Sequence, residues 1–228
     1  MSRSSDSGAT YDLTDVLDFE ALSAVRPGSS ILVSGPAMTG KEELAMQILA
    51  DGSRHGEGAI VVTTGDRAEN VVADYQERVP ELDESLLGVV DCRGESGRSS
   101  EYTAGGTFVY HLSSPGEITG MGIGITKCME TLANNGADSG RFALDSLSTI
   151  LTYTDKKTVF KLCHILSSRF DTAGYLGVLT IDSSAHDEQT LQVIKQAFDG
   201  MIEIREEDGT REARVLGLAG KPTDWQEF

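Results

Sequence analysis

Eight residues, Gly35-Pro36-Ala37-Met38-Thr39-Gly40-Lys41-Glu42, carry the clearest chemistry in this chain. They follow the spacing G-x-x-x-x-G-K, in which glycines let successive backbone N–H groups surround a phosphate and the lysine neutralises its charge. That pattern ordinarily continues with a serine or threonine, whose hydroxyl binds magnesium. Here the position holds Glu42. A carboxylate there brings negative charge towards the phosphates, yet it is also able to hold a cation. The residues thus point to a nucleotide phosphate and leave the metal chemistry open.

The second chemical candidate is Asp145, in Arg141-Phe142-Ala143-Leu144-Asp145. This run reads as a buried strand with a carboxylate at its C-terminal tip. In a doubly wound sheet such tips face the ligand crevice, where an aspartate can hold magnesium directly or through water. Taken alone, an aspartate after a strand also fits a helix cap.

These residues need a scaffold. Ser29–Ser34 reads as a short buried strand entering the glycine loop, and Glu43–Leu49 as a helix leaving it, with Leu44, Ile48 and Leu49 at helical spacing. Further strands are expected at 59–64, 87–91 and 176–182, and helices at 115–132 and 158–170. A short helix is expected over 13–25, and a polar loop over 93–106. Residues 200–205 and 212–218 read as a hairpin turning at Asp208-Gly209. Alternating strands and helices followed by a hairpin predict an α/β fold. Its sheet is mostly parallel, with helices on both faces and a C-terminal β-hairpin. Residues 1–11 read as a flexible tail, and 12–228 as the folded domain.

The formal net charge is −17. No Lys/Arg run gathers the basic residues into a patch, so a nucleic-acid partner is not expected. Arginine outnumbers lysine, and the acidic residues are dispersed, as in proteins adapted to high salt. No apolar stretch of about 18 residues predicts a membrane helix. The start of the chain has no apolar signal core, so the expectation is a cytoplasmic protein. Cys92, Cys128 and Cys163 are widely separated and read as buried thiols.

Ser34–Lys41, Val62-Thr63-Thr64-Gly65-Asp66, Leu144-Asp145-Ser146-Leu147-Ser148 and the terminal hairpin together resemble the RecA/KaiC superfamily. The resemblance is greatest to the small single-domain KaiC-like proteins of haloarchaea, also described as RecA-superfamily ATPases or HTR-like proteins. Pro115–Gly124, Ala185-His186-Asp187 and Pro222-Thr223-Asp224-Trp225 are similar to the same group, and the likeness spans residues 12–228. It implies a RecA-like P-loop fold that binds ATP and Mg2+ through Gly35–Glu42 and Asp145.

The chain also departs from that family. Where KaiC-type ATPases carry a Glu-Glu pair after the second strand, it has Gly65-Asp66, which leaves Asp66 as the candidate catalytic base. Where their hairpins present Lys and Arg to a neighbouring subunit, it has Gly217 and Ala219, with Lys221 shifted. The expectation is a nucleotide-binding regulatory or signalling domain with weak or absent hydrolysis. An active ATPase using Glu42 or Asp66 in altered roles, and an interaction scaffold without nucleotide, are the alternatives. An unidentified protein partner, or a homo-oligomer like the family's rings, completes the expectation.

Two motifs stay open. His186-Asp187 reads either as an acid/base or sensor pair or as a helix cap. Gly120-x-Gly122-x-Gly124 lets a helix pack closely, within the domain or against another subunit.

Overall fold

A computed structural model describes residues 10–93, 99–218 and 220–228. The expected flexible tail falls largely on residues 1–9, outside the described residues, as does Ala219. Along the chain run β1 (Ser30–Gly35), α1 (Lys41–Arg54), β2 (Gly58–Thr63), α2 (Ala68–Arg78), β3 (Leu87–Asp91), β4 (Ser99–Tyr102), β5 (Phe108–His111) and α3 (Ile118–Asn134). They are followed by β6 (Gly140–Asp145), α4 (Leu147–Tyr153), α5 (Lys156–Ala173), β7 (Leu176–Asp182), α6 (Glu188–Lys195), β8 (Gly200–Glu207), β9 (Thr210–Leu216) and β10 (Gln226–Glu227).

All ten strands form one sheet in the order β10-β9-β8-β1-β7-β6-β2-β3-β5-β4. Strands β8 to β5 in that order pair in parallel, and antiparallel partners close both edges. The parallel strands are covered on both faces, so their residues are apolar almost without interruption. Successive residues still alternate between the two faces. Ile31 and Val33 pack with Leu44 and Ile48 of α1 and Tyr75 of α2. Leu32 packs on the other side with Met121 of α3 and Leu162 of α5. This is the expected α/β architecture, terminal hairpin included.

Local signals set several boundaries. The Asp155 carboxylate accepts from the Lys157 and Thr158 amides at the start of α5, and Gly174 ends that helix at φ 71°. Arg141 is buried beneath the sheet, where Asp51 and Glu57 each meet it at 2.9 Å and the Ile48 carbonyl accepts a further bond.

The structure differs from the sequence reading in several places. Residues 99–102, expected in a loop, form β4, an edge strand whose four side chains are all exposed. With no buried face, it carries no alternating pattern, and only pairing with β5 makes it a strand. The helices α2 and α4 and the strands β5 and β10 are additions to the expected elements. The helix expected over 13–25 is a 3-10 turn at Glu20–Leu22, held by a bridge between Tyr11 and Val25.

The tail after β9 folds back on the hairpin. The ring of Trp225, the sole tryptophan, meets both the Arg205 and Arg214 guanidinium groups, with ring-to-cation distances of 4.3 and 4.6 Å. Among the described residues no helix is long and apolar enough to cross a membrane.

Candidate functional site

Strand β1 is buried throughout and delivers the chain to Gly35. A side chain at Gly35 would stand 2.8 Å from the Ile204 carbonyl and 2.9 Å from Thr39 Oγ1, so glycine permits the close approach of β8. The loop then turns through Met38, at φ 61° and exposed, to Gly40, whose φ of 88° favours glycine. Thr39 Oγ1 and Lys41 Nζ both donate to the Pro36 carbonyl, at 2.8 and 2.7 Å. Gly40 is the N-cap of α1, and no side chain caps the helix there. The first amides of α1 therefore remain free for a ligand, at the positive end of the helix dipole.

Lys41 is 1% exposed, an unusual burial for an amine. Its nearest carboxylate is Glu42, at 3.6 Å. Glu43, one residue on, is engaged elsewhere: Arg78 donates to it across the gap between α1 and α2, and these bonds hold its carboxyl below the ordinary range.

Asp145 ends β6, beside Thr63 of β2 in register. Strand β7 separates β6 from β1, so the aspartate stands two strands from the phosphate loop on the same end of the sheet. Burial, joined by the Glu42 and Asp66 charges, pushes its carboxyl up to about 6, against a Thr180 hydrogen bond and the pull of Lys41. Lys41, Glu42, Asp66 and Asp145 thus share one electrostatic environment. Glu42, Asp66 and Asp145 also line a cleft of about 310 Å³ between α1 and α2, floored by Met46, Val61 and Ala143.

The peptide joining Asp145 to Ser146 is cis. Its flanks are held by Thr64, whose amide donates to the Asp145 carbonyl and whose hydroxyl accepts from the Ser146 amide. Asp66 is set by its own turn, in which its amide donates to Thr63 Oγ1 and its carbonyl accepts from that hydroxyl. Gly65 faces open space. Gly217 lies beside Asp199 and Gly200, at the opposite end of the sheet from Lys41.

The structure gives the local contacts of the two open motifs. Asp187 caps α6, accepting from the Thr190 amide at 2.7 Å. His186 Nε2 instead meets Ser148 Oγ at 2.8 Å, and the same hydroxyl accepts from the Asp182 amide. Burial acts to raise the Asp182 carboxyl, but Ser184 hydrogen bonds and the Lys41 charge hold it low. Gly124 allows α3 to approach Tyr110 of β5, whereas a side chain at Gly122 would meet nothing within 4 Å.

Thr180, which bonds the Asp145 carboxylate, and Arg211, whose guanidinium approaches Gly40, are not residues that spacing singles out. Each reaches the site from a different element, so no local motif joins them. Among the described residues no three His, Cys, Asp or Glu side chains converge as a self-sufficient metal site. A magnesium ion that relies on phosphate oxygens and water needs only one or two carboxylates, and Asp145 and Glu42 match that donor chemistry.

A family of unknown function (DUF7504) matches residues 28–204. No curated protein matches the chain. Among solved structures, the chain is similar to a KaiC-like protein from the hyperthermophilic archaeon Pyrococcus horikoshii. The TM-score is 0.62, with 96% of this chain and 89% of that one covered, at 14% identity. At that identity the likeness is one of fold, a RecA-like arrangement of sheet and helices.

Proposed function

This chain belongs to DUF7504, a family of unknown function, and we propose that it is a nucleotide-binding regulatory or signalling domain of KaiC-like type. In this reading residues 12–228 form the domain, ATP occupies Gly35–Glu42, and hydrolysis is weak or absent. The observation that supports it is that the glycine loop and Asp145 lie at the same, C-terminal end of the parallel strands, two strands apart, with the Lys41 charge acting on the Asp145 carboxyl. That is where open α/β sheets bind ligands.

Each residue has a role in this reading. The free amides at the start of α1 receive phosphate oxygens, and Lys41 exchanges the Pro36 carbonyl for a phosphate. Magnesium, when bound, neutralises phosphate charge. Asp145, assisted by Glu42, would hold it, and ionisation of Asp145 would then no longer be opposed by its acidic neighbours.

Weak turnover is supported by three departures. Glu42 replaces the hydroxyl, Gly65 has no side chain to orient water, and Gly217 brings no cation. Asp66 lines the cleft and is the candidate base. The charge of −17 supports a haloarchaeal, high-salt cytoplasm as the setting, with a protein partner or a second copy as the receiver of the signal.

Calorimetry with ATP and Mg2+ in molar KCl, alongside phosphate release, tests this. ATP should bind the wild type, Lys41→Ala should abolish or strongly weaken binding, and phosphate release should stay near background. No binding by the wild type would leave the scaffold alternative, and rapid release would leave the active ATPase.

A further inference from the structure

We propose that Arg211, from the C-terminal hairpin, is a phosphate-binding residue supplied to the loop by the same chain. A guanidinium nitrogen of Arg211 lies 3.1 Å from the point where a side chain on Gly40 would begin. The proposal deepens the nucleotide-binding reading and rests on it.

The hairpin has three arginines on β8 and β9, and two are committed. Arg205 pairs with Glu207 and Glu212 and faces Trp225. Arg214 pairs with Glu203 and faces the same ring. Arg211 stands opposite Glu206 in the ladder, yet its guanidinium makes no hydrogen bond or ion pair among the described residues. In a chain of charge −17, an arginine without a carboxylate is conspicuous. Its location is more so, because Gly40 caps the N-terminus of α1.

A cation is disfavoured beside a helix N-terminus, where the dipole is already positive. Lys41 adds a second positive charge in the next position, and Glu42 offsets one of the two. Three positive features therefore meet at Gly40: the uncapped amides of α1, the Lys41 amine and the Arg211 guanidinium. An anion with several oxygens satisfies all three, and a guanidinium can meet two phosphate oxygens at once. The class of ligand is a nucleoside polyphosphate, with Arg211 closing over the phosphate chain from the hairpin side.

The backbone at Arg211 is held from the other direction. The Phe228 amide donates to its carbonyl at 3.2 Å, and β10 pairs with the neighbouring Glu212 and Ala213. The tail thus secures the strand that carries Arg211, while the guanidinium itself stays exposed and able to turn towards a ligand.

The test is calorimetry on the full chain in molar KCl with ATP, ADP and AMP, using wild type, Arg211→Ala, Arg211→Lys and Lys41→Ala. Arg211→Ala should weaken ATP about tenfold, the usual scale of one charge-assisted hydrogen bond. The loss should shrink from ATP to AMP, Arg211→Lys should recover part of it, and the ligand-free melting temperature should not change. Equal ATP affinity in wild type and Arg211→Ala, with Lys41→Ala impaired, would overturn this proposal and leave the binding site standing. An equal loss for all three nucleotides together with a lowered ligand-free melting temperature would assign Arg211 a structural role and also overturn it. A wild type that binds no ATP would remove the nucleotide reading and this proposal together.

Discussion

Lys41 Nζ and Glu42 Oε1 stand 3.6 Å apart at the start of α1, the amine buried and the carboxylate half-exposed. The lysine therefore shares its charge with its own neighbour before any phosphate arrives. A phosphate entering the loop meets a cation already partly compensated, and a carboxylate that repels it. At an effective dielectric constant of about 20, one such charge at contact range is worth a few kcal/mol before screening. High salt reduces that figure but does not remove it at this separation.

Glu42→Thr is accordingly expected to tighten ATP binding several-fold, on the order of 1 kcal/mol. Combined with Gly65→Glu, it should raise phosphate release above the wild type. A Cβ at Gly65 would meet no atom within 4 Å, so the backbone there has room for a side chain to begin. Calorimetry and a phosphate-release assay at high salt check the pair. Weaker ATP binding by Glu42→Thr would show that the carboxylate serves as a cation ligand instead.

The Asp145 carboxyl makes stability depend on pH in a defined sense. Its folded-state value is raised from 3.8 to about 6. The native chain holds that proton more tightly than the unfolded chain, so its contribution is complete below about 3.8 and lost as pH rises through about 6. Asp145→Asn should therefore stabilise the ligand-free protein at pH 8, on the order of 1–2 kcal/mol after allowance for solvent contact, and have little effect at pH 3.5. Thermal melts at the two pH values read the difference. A variant no more stable than wild type at pH 8 would refute the assignment.

Arg141 is the buried ion-pair centre beneath α1. Its side chain is 3% exposed and meets Asp51 and Glu57. Arg141→Ala leaves both carboxylates without their partner and should cost about 3–5 kcal/mol of stability. Denaturant unfolding in constant KCl measures it, and a loss under about 1 kcal/mol would mean that water replaces the guanidinium.

The glycines of α3 should respond in opposite directions. A side chain at Gly124 would fall 2.5 Å from the Tyr110 ring, so Gly124→Ala should destabilise by about 1–3 kcal/mol. Gly122 faces open space in the same helix, so Gly122→Ala should stabilise by roughly 0.5–1 kcal/mol. Parallel unfolding curves distinguish them. Destabilisation by Gly122→Ala would place an unrecognised contact at that position.

Legibility follows locality. Strand β1, the glycine loop and α1 are readable because the loop's function requires particular residue types at consecutive positions. Strand β6 and Asp145 are readable because a buried parallel strand is an apolar run with a polar end. Strand β4 is not, since Ser99-Ser100-Glu101-Tyr102 buries nothing and owes its form to pairing with β5. The helix α2 escapes a reading of the sequence although Val71, Val72 and Tyr75 are buried along it. Its apolar positions are few among charged neighbours, and the pattern is weak until the sheet supplies a partner.

The sequence by itself determined the α/β class, the loop at Gly35–Glu42, the strand-tip position of Asp145 and the terminal hairpin, all properties written in short windows of residue type and spacing. Tertiary structure alone decided which groups share a field: that Glu42 and Asp66 press on Asp145, that Asp182 lies within reach of Lys41, and that Arg211 comes to rest over Gly40. Those relations span up to 171 positions along the chain between Gly40 and Arg211. Charges interact through space, and the distance between them is set by strand order and register rather than by sequence separation.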